Sequence, residues 1–245
     1  MRIISPTRAF CLSLLFVLVL GLTVGTTWLI FRHVPPGDFR GVILVTAGII
    51  FFCVYSIAEY RLIVWLWPLP EGDIGEGSRE EFIYHAHLIF YLMLFYSIIH
   101  SQILPVPFRR LFCQALGAHL GRNVFPAGIL FDLPFVFIGD DAVIGYQVVL
   151  CPHLIIGKRL SHARIQIGKN VTIGIGAVVY GGAVVGDGAI ISAGAIIGPH
   201  VIVGENAIVK PCSYVKAHTH VPPGEIWSGV PATAEPVKTP LENRT

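Results

Sequence analysis

The sequence predicts a membrane protein in two parts, apolar transmembrane helices followed by a parallel β-helical solenoid. Three observations predict this fold. Aliphatic residues recur at every sixth position through the second half of the chain, and the first half contains long uncharged apolar runs. Only 13% of the residues are charged and 54% are hydrophobic, whereas an ordinary soluble domain has roughly 25% charged residues.

Three apolar segments in the first half are long enough to cross a bilayer, for which a helix needs about 20 residues. Residues 10–31 and 41–58 carry no charge, and residues 82–106 contain histidines but no Asp, Glu, Lys or Arg. The sequence therefore predicts a membrane domain over residues 1–106 with about three transmembrane helices. A secretory signal is the alternative for the first segment, but that run is long for a signal and no small-x-small cleavage site follows it.

Loop charges favour a cytoplasmic solenoid in an inner or plasma membrane protein. With three spans, Arg32, Arg40 and the pair Arg109 and Arg110 fall on the same side as the solenoid, which the positive-inside rule makes cytoplasmic. The basic N-terminus disagrees with this orientation. Residues 107–119 combine apolar positions at helical spacing with two arginines, so they are predicted to form an amphipathic linker along anionic lipid headgroups.

Residues 120–220 are predicted to form the solenoid. The clearest repeat positions are Ile167, Ile173, Val179, Val185, Ile191, Ile197, Val203, Val209 and Val215. A small or β-branched residue follows each of them four positions later, which places two side chains of every six inside. Short strands joined by tight turns fit this pattern, and three such units make one triangular coil. Residues 221–245 are predicted to be a C-terminal cap and tail.

The repeat is interrupted between Ile156 and Ile167, where the spacing is eleven instead of six. Five extra residues are therefore expected to leave the solenoid as a loop. His153 stands just before this loop and points outward in the register. An imidazole with an ordinary pKa near 6.5 accepts a proton at neutral pH, so His153 is the candidate catalytic base. His162 and Arg164 are candidate substrate-binding residues, with a solvated surface as the alternative for both.

Residues one coil apart should stack in columns. With a five-residue loop discounted, Gly176, Gly194 and Cys212 come beneath His153. Two glycines in line would leave a shallow groove in which a slender ligand lies against the backbone. The alternative is that these glycines only serve turns.

The period and the residue types resemble the hexapeptide-repeat acyltransferase superfamily. Residues 132–141 (DLPFVFIGDD) are similar to the start of that family's first regular coils, and residues 229–232 (GVPA) are similar to its closing motif. The resemblance implies that the solenoid is a left-handed parallel β-helix. It also implies a homotrimer with sites between subunits, and acyl transfer from acetyl-coenzyme A.

The same resemblance implies roles for individual residues. His153 would deprotonate an acceptor hydroxyl or amine for attack on the thioester, with no metal expected. The candidate coenzyme-binding residues are Gly176, Gly194, Lys216, Gly229, Pro231 and Ala232. The chain departs from the family after the closing motif, because residues 233–235 (TAE) stand where relatives commonly place Lys or Arg. Lys238 is the candidate replacement.

These observations favour a membrane-bound acetyltransferase acting on a cell-envelope sugar or a lipid-linked acceptor, with membrane lipids as neighbours. Two alternatives stay open, a thioester-dependent amide-forming enzyme resembling the carboxy-terminal region of polylysine-synthase-like enzymes, and a non-catalytic trimeric membrane scaffold. A carbonic anhydrase of the same prism type would need clustered zinc-binding histidines, and residues 174–182 contain none. A net charge of +2 without a basic stripe gives no indication of nucleic-acid binding.

Overall fold

A computed structural model describes residues 6–33, 37, 39–100 and 104–235 of the 245-residue chain. Arg2 and Lys238 lie outside the described residues. The chain divides into two compact units. The helical unit comprises Met1–Pro70 and Ile74–Ser101, and the solenoid unit comprises Glu71–Asp73 and Gln102–Thr245.

The helical unit is built from helical segments, of which the first two are strongly apolar. They are α1 (Pro6–Phe31), α2 (Arg40–Leu66), α3 (Arg79–Phe90), a π-helical segment (Tyr91–Tyr96) and α4 (Ser97–His100). Among the described residues, two helical stretches are long and apolar enough to cross a membrane, Ser13–Phe31 and Arg40–Leu66. The third predicted span falls on shorter helical pieces with a π-helical segment between them, and it stays a prediction.

A cap and a buried polar contact organise α3. The Ser78 hydroxyl accepts a hydrogen bond from the Glu81 N–H at 3.1 Å, and the Glu81 carboxylate accepts one from the Gly77 N–H at 2.7 Å. These bonds satisfy backbone donors at the start of the helix. Further along, His87 Nδ1 lies 2.8 Å from the Tyr60 hydroxyl in a buried contact that joins α3 to α2.

The solenoid unit consists of helix α5 (Val106–Ala115) and many short strands. The strands are β1 (Gly72–Ile74), β2 (His119–Leu120), β3 (Phe125–Pro126), β4 (Ile129–Leu130), β5 (Val136–Ile138), β6 (Val143–Ile144), β7 (Val149–Cys151), β8 (His153–Ile156), β9 (Arg159–His162), β10 (Ile165–Ile167), β11 (Thr172–Ile173), β12 (Val178–Tyr180), β13 (Val184–Val185), β14 (Ile190–Ile191), β15 (Ile196–Ile197), β16 (Ile202–Val203), β17 (Ile208–Val209), β18 (Tyr214–Val215), β19 (His220–Val221), β20 (Ile226–Gly229) and β21 (Ala232–Ala234).

These strands form three parallel walls. Wall 1 has the order β19-β16-β13-β10-β5-β2, wall 2 the order β21-β20-β17-β14-β11-β6-β3, and wall 3 the order β18-β15-β12-β7-β4. The antiparallel strand β21 ends wall 2. The chain passes from wall 1 to wall 2 to wall 3 and back, so each coil has three corners. We number them by the walls they join: corner 1 joins walls 1 and 2, corner 2 joins walls 2 and 3, and corner 3 joins walls 3 and 1.

The aliphatic core of the solenoid is as predicted. All nine repeat positions from Ile167 to Val215 are buried, and the small residues between them, such as Ala177 and Ala195, are fully buried. Each such aliphatic side chain stabilises the fold by roughly 1.5 to 3 kcal/mol on burial. The predicted fold class is confirmed, with apolar helices preceding a parallel β-solenoid consistent with a left-handed β-helix.

The length of the interruption was predicted wrongly. Ile138 pairs with Ile167 and Ile144 with Ile173, a separation of 29 residues where later coils have 18. Eleven residues are therefore extra, instead of five. Ile156, which the repeat places inside, is 66% exposed. The reason is that strands β8 and β9 leave the solenoid as an antiparallel hairpin and carry this aliphatic residue outward.

Helix α5 covers the first coil of the solenoid. The buried Arg109 guanidinium donates to the carbonyls of Ala127 and Gly128 at 3.4 and 2.9 Å, and Arg110 donates to the carbonyl of Gly121 at 2.8 Å. These carbonyls belong to the end of the solenoid where no earlier coil precedes. The Arg109 charge is thus directed to backbone acceptors of the protein, and the position of residues 107–119 along lipid headgroups stays a prediction.

We expect the substitution Arg109→Met to destabilise the solenoid. A hydrogen bond from a charged group contributes about 1.5 to 3 kcal/mol, and the two carbonyls would lose their donor. Thermal melting of the full chain in detergent, followed by β-sheet circular dichroism, should show a lower midpoint. Arg122→Met is the matched control, because the Arg122 side chain is 87% exposed. Equal melting of the two variants would contradict a capping role for α5.

Candidate functional site

The hairpin that interrupts the repeat brings His153 and His162 together. Strands β8 and β9 pair in an antiparallel register that places His153 opposite His162. At the base of the hairpin, the Ala163 N–H donates to the Pro152 carbonyl at 3.0 Å. Gly181 of the next coil passes directly beneath, where a Cβ atom would lie 2.2 Å from the Pro152 oxygen. The hairpin base therefore requires glycine at this position.

Asp132 reaches the same place from the preceding coil. Leu130 pairs with Leu150, so Asp132 turns the chain at the corner from which the hairpin leaves. Its backbone is left-handed, with φ at 42°, and a 3₁₀ turn (Leu133–Phe135) follows it. The carboxylate is buried, and its Oδ2 lies 2.5 Å from His153 Nδ1 and 3.9 Å from His162 Nε2.

Asp132 is the functional candidate that the sequence analysis missed. The segment that contains it was singled out only as the start of the regular coils. Counting in sixes misplaces Asp132, because Leu130 follows Pro126 by four residues and Ile138 follows Leu130 by eight. The sequence did contain a signal for Asp132. The spacing is irregular around this lone carboxylate, and Asp132 lies one coil before a histidine that stands at a break in the repeat.

The two histidines differ in exposure. The His153 side chain is 18% exposed, while that of His162 is completely buried. The interpretation of His162 as a solvated loop residue is therefore wrong. Aromatic rings line the site, with Phe131 centred 5.7 Å from His153 and Phe135 centred 5.6 Å from His162. These rings keep water away from one side of each imidazole.

The carboxylate of Asp132 dominates the electrostatics of His153. Burial by itself lowers the pKa of His153, but the hydrogen bond and the charge of Asp132, with a smaller contribution from Cys151, raise that pKa to about 10. The premise of an ordinary pKa near 6.5 is therefore wrong. His153 is mostly protonated at neutral pH and becomes a base only after it gives up this proton.

A histidine held in this way can perform proton transfer. In the neutral imidazole, the hydrogen bond to Asp132 keeps the proton on Nδ1, which leaves the lone pair on Nε2. A buried carboxylate in this position orients the ring and stabilises the imidazolium that forms when a proton is taken. The pair can thus accept a proton from a hydroxyl or amine and return it to a leaving group.

The structure does not bring Arg164 into this pair. Arg164 forms an ion pair with Glu71, with Nε 3.1 Å from Oε2, and its guanidinium lies 5.7 Å from the centre of the Phe137 ring. Its charge is thus partly neutralised within the chain. A role for Arg164 in substrate binding stays a prediction.

Gly176 and Gly194 lie at corner 2, whereas the hairpin leaves at corner 3. Gly176 donates its N–H to Tyr146 and Gly194 donates to Ile175. The column above Cys212 therefore continues to Gln147 and does not reach His153. The predicted column was wrong because it discounted five residues where the hairpin adds eleven.

The column at corner 2 is nevertheless open to solvent at its upper end. A Cβ on Gly176 would meet no other atom within 4 Å, and one on Gly194 would meet only Cys212, at 3.2 Å from its Sγ. All four members of the column have positive φ, between 55° and 69°. The glycines therefore serve the turns and also leave a strip of open backbone, which we call the furrow.

The closing motif lies beside the lower end of this furrow. The Gly229 N–H donates to the Ser213 hydroxyl at 3.2 Å, and Gly229 pairs with the buried Ala232 across the turn between β20 and β21. A cis peptide bond joins Val230 to Pro231 inside this turn. Lys216 is exposed and lies at corner 3, in the turn between β18 and β19.

A cavity of about 470 Å³ lies between the hairpin and the turns of corner 3 below it. The buried His162 reaches its wall from the hairpin, together with Leu154 and Arg159. The opposite wall contains His200 and His218, whose rings stack in parallel with their centres 5.1 Å apart. A partly open space of this size beside His162 is a candidate acceptor site.

Comparisons with known proteins find a family match within the repeat. Residues 164–199 match the bacterial transferase hexapeptide family (six repeats). A search of curated proteins finds no match.

Several solved structures are similar to this chain. A hexapeptide-repeat acetyltransferase from Vibrio cholerae is 20% identical, with 55% of this chain and 82% of that chain covered and a TM-score of 0.40. A galactoside acetyltransferase in complex with coenzyme A is 23% identical, with coverage of 58% and 75% and a TM-score of 0.39. PerB from Caulobacter crescentus, in complex with CoA and GDP-perosamine, is 22% identical, with coverage of 49% and 52% and a TM-score of 0.34. At these identities and TM-scores, none of them bears on the substrate of this chain.

The raised pKa of His153 predicts an alkaline rate profile. Because the neutral imidazole is the base, the rate of proton transfer should rise about tenfold per pH unit and level off near pH 10. Asp132→Asn removes the charge that raises the pKa of His153. The pH at which the rate levels off should therefore shift toward the ordinary histidine pKa near 6.5. The measurement is the rate of the acyl transfer expected from the sequence, followed against pH with EDTA present. An unchanged break point in the variant would show that Asp132 does not control His153.

Proposed function

We propose that the protein is a membrane-anchored acyltransferase that moves acetyl from acetyl-coenzyme A to a hydroxyl or amine of a cell-envelope sugar or lipid-linked acceptor. The observation that carries the proposal is the pair of the buried Asp132 and the partly buried His153 at the base of a hairpin extruded from the solenoid. The match of residues 164–199 to a transferase family supports the reaction class. A non-catalytic scaffold gives no reason to bury a charged pair at this point.

The proposed reaction needs one base and no covalent enzyme intermediate. His153 Nε2 takes the proton of the acceptor O–H or N–H while the acceptor oxygen or nitrogen attacks the thioester carbonyl. The tetrahedral intermediate then expels the coenzyme A thiolate, and the imidazolium returns its proton to that sulfur. Asp132 stabilises the imidazolium between the two transfers, which is when its charge contributes most.

The coenzyme is proposed to occupy the furrow at corner 2. Gly176 and Gly194 supply the open backbone there, and residues 229–232 lie at its lower end beside Ser213. Within one chain this furrow and His153 lie at different corners of the prism. A homotrimer would resolve the separation, because packing prisms around a threefold axis sets a corner of one protomer against a different corner of its neighbour.

The apolar helices are proposed to anchor the enzyme at its acceptor. α1 and α2 are long and apolar enough to cross a bilayer, and the basic loops favour a cytoplasmic solenoid. Acetyl-coenzyme A is a cytosolic donor, so this orientation supplies it directly. Tethering raises the effective concentration of the enzyme toward a membrane-bound acceptor.

We expect His153→Ala to lower the transfer rate by roughly 100-fold or more, the usual loss for a removed general base. Membranes that contain either form would be given labelled acetyl-coenzyme A, and the extracted glycans and lipids analysed by mass spectrometry for an acetyl-sized mass increase. His220→Ala is the control, because His220 is an exposed histidine on β19 of wall 1, away from the hairpin and from the candidate acceptor site. Equal labelling by wild type and His153→Ala would remove His153 from the mechanism.

Binding of acetyl-coenzyme A at corner 2 should protect Cys212. This thiol is exposed and follows Gly194 in the furrow, whereas Cys113 is buried. Saturating acetyl-coenzyme A should slow alkylation of Cys212 by a maleimide at least about fivefold, measured by peptide mass spectrometry of the full chain. Alkylation of Cys113 in the same sample serves as the internal control. Unchanged labelling of Cys212 at saturating coenzyme would place the donor elsewhere.

A further inference from the structure

Three metal-ligating side chains converge at the hairpin base from three separate elements. Asp132 comes from the turn before β5, His153 begins β8 and His162 ends β9. One oxygen and two nitrogens of these groups all lie within 4.8 Å of one another. Among the residues that the structure describes, this is the single group of three or more His, Cys, Asp or Glu with that geometry.

The spacing is close to that of an occupied metal site. Zinc bonds to nitrogen and carboxylate oxygen are about 2.0 to 2.2 Å long, so tetrahedral ligands lie about 3.3 to 3.5 Å apart. Asp132 Oδ2 is 2.5 Å from His153 Nδ1 and 3.9 Å from His162 Nε2. An ion placed among these atoms would push the first pair apart and draw the second together, in each case by roughly 1 Å or less.

Burial favours an ion at this position. The Asp132 carboxylate is 3% exposed and the His162 side chain is fully buried, so the donors are already removed from water. A divalent ion there would neutralise the carboxylate, which is costly to keep charged in such surroundings. Two imidazoles with one carboxylate form a donor set suited to zinc, cobalt and nickel, and His153 is exposed enough for the ion to enter.

We propose that Asp132, His153 and His162 form a binding site for one divalent transition-metal ion of the zinc type, and that the bound ion switches the enzyme off. The switch rests on the proposed function, while the binding site stands on the geometry alone. The metal bonds to His153 Nδ1, and the proton shared between Nδ1 and Asp132 leaves to solvent. A neutral imidazole bonded through Nδ1 carries its proton on Nε2, so it has no lone pair to accept one from the acceptor.

The binding test uses the full chain in detergent, stripped with a chelator and then titrated with Co²⁺. Wild type should take up one equivalent and show the strong visible absorption of tetrahedral cobalt, which Zn²⁺ then abolishes by displacement. Asp132→Asn and His162→Asn should each weaken Co²⁺ binding at least about tenfold, because each loses a ligand. Melting curves report whether each variant is folded. If a variant is not folded, His153→Asn is tested in its place, because His153 is the least buried of the three ligands.

His200→Asn is the matched control, because His200 and His218 form a stacked pair of exposed histidines outside the three proposed ligands. The control should bind Co²⁺ like wild type. Loss of the cobalt spectrum in His200→Asn, or its persistence in the folded ligand variants, would overturn the proposed site. So would weak absorption without a one-to-one end point, which indicates scattered surface binding.

The activity test separates the switch from the site. Zn²⁺ at the concentration that fills the site should lower wild-type acetyl transfer at least about tenfold, and EDTA should restore it. Continued transfer by the zinc-loaded enzyme would overturn the proposed switch, while the proposed binding site would still stand. A chain that binds one Co²⁺ but transfers no acetyl group with EDTA present would instead overturn the proposed function, so the two failures are distinguishable.

Discussion

Stacking of like side chains one coil apart is the constraint on which the rest of the structure depends. Each inward aliphatic residue lies on its counterpart 18 residues away, and parallel hydrogen bonds fix the register, as in the pair Ile173 and Ile191. Because this register cannot slip without moving every side chain from inside to outside, an insertion must leave the solenoid entirely. The hairpin β8–β9 is such an insertion, and the core on either side of it remains continuous.

The polar site exists because two coils meet at the departure of that hairpin. Asp132 occupies the earlier coil, and the hairpin of the next coil brings two imidazoles to its carboxylate. A buried carboxylate is stable only when it is paired or hydrogen-bonded. The same need for a positive partner explains why His153 holds its proton strongly and why we propose that the site binds a metal ion. The proton and the metal ion would compete for the one negative charge of Asp132.

The sequence was sufficient for the solenoid and insufficient for the site. Repeat positions such as Ile167 and Val215 are predictable because the period alone decides which side chains are inside. Ile156 misled the count, because an aliphatic residue on an extruded strand looks the same as one in the core. Asp132 was missed for a related reason, since its coil shortens one segment and lengthens the next. When two neighbouring coils differ in length, the contacts between them depend on which strands pair, and the spacing of residues in the sequence does not reveal that pairing.

The structure of the two ends of the solenoid affects how copies of the protein can associate. A parallel β-helix ends in exposed strand edges, and such edges invite another copy to add on. Here side chains of α5 cover the carbonyls of the first coil, and β21 runs against β20 in the opposite direction at the other end. End-on addition of a further prism is thereby obstructed by α5 at the first coil and by β21 on wall 2 at the last coil. Association with further copies through the flanks of the prism avoids both of these elements.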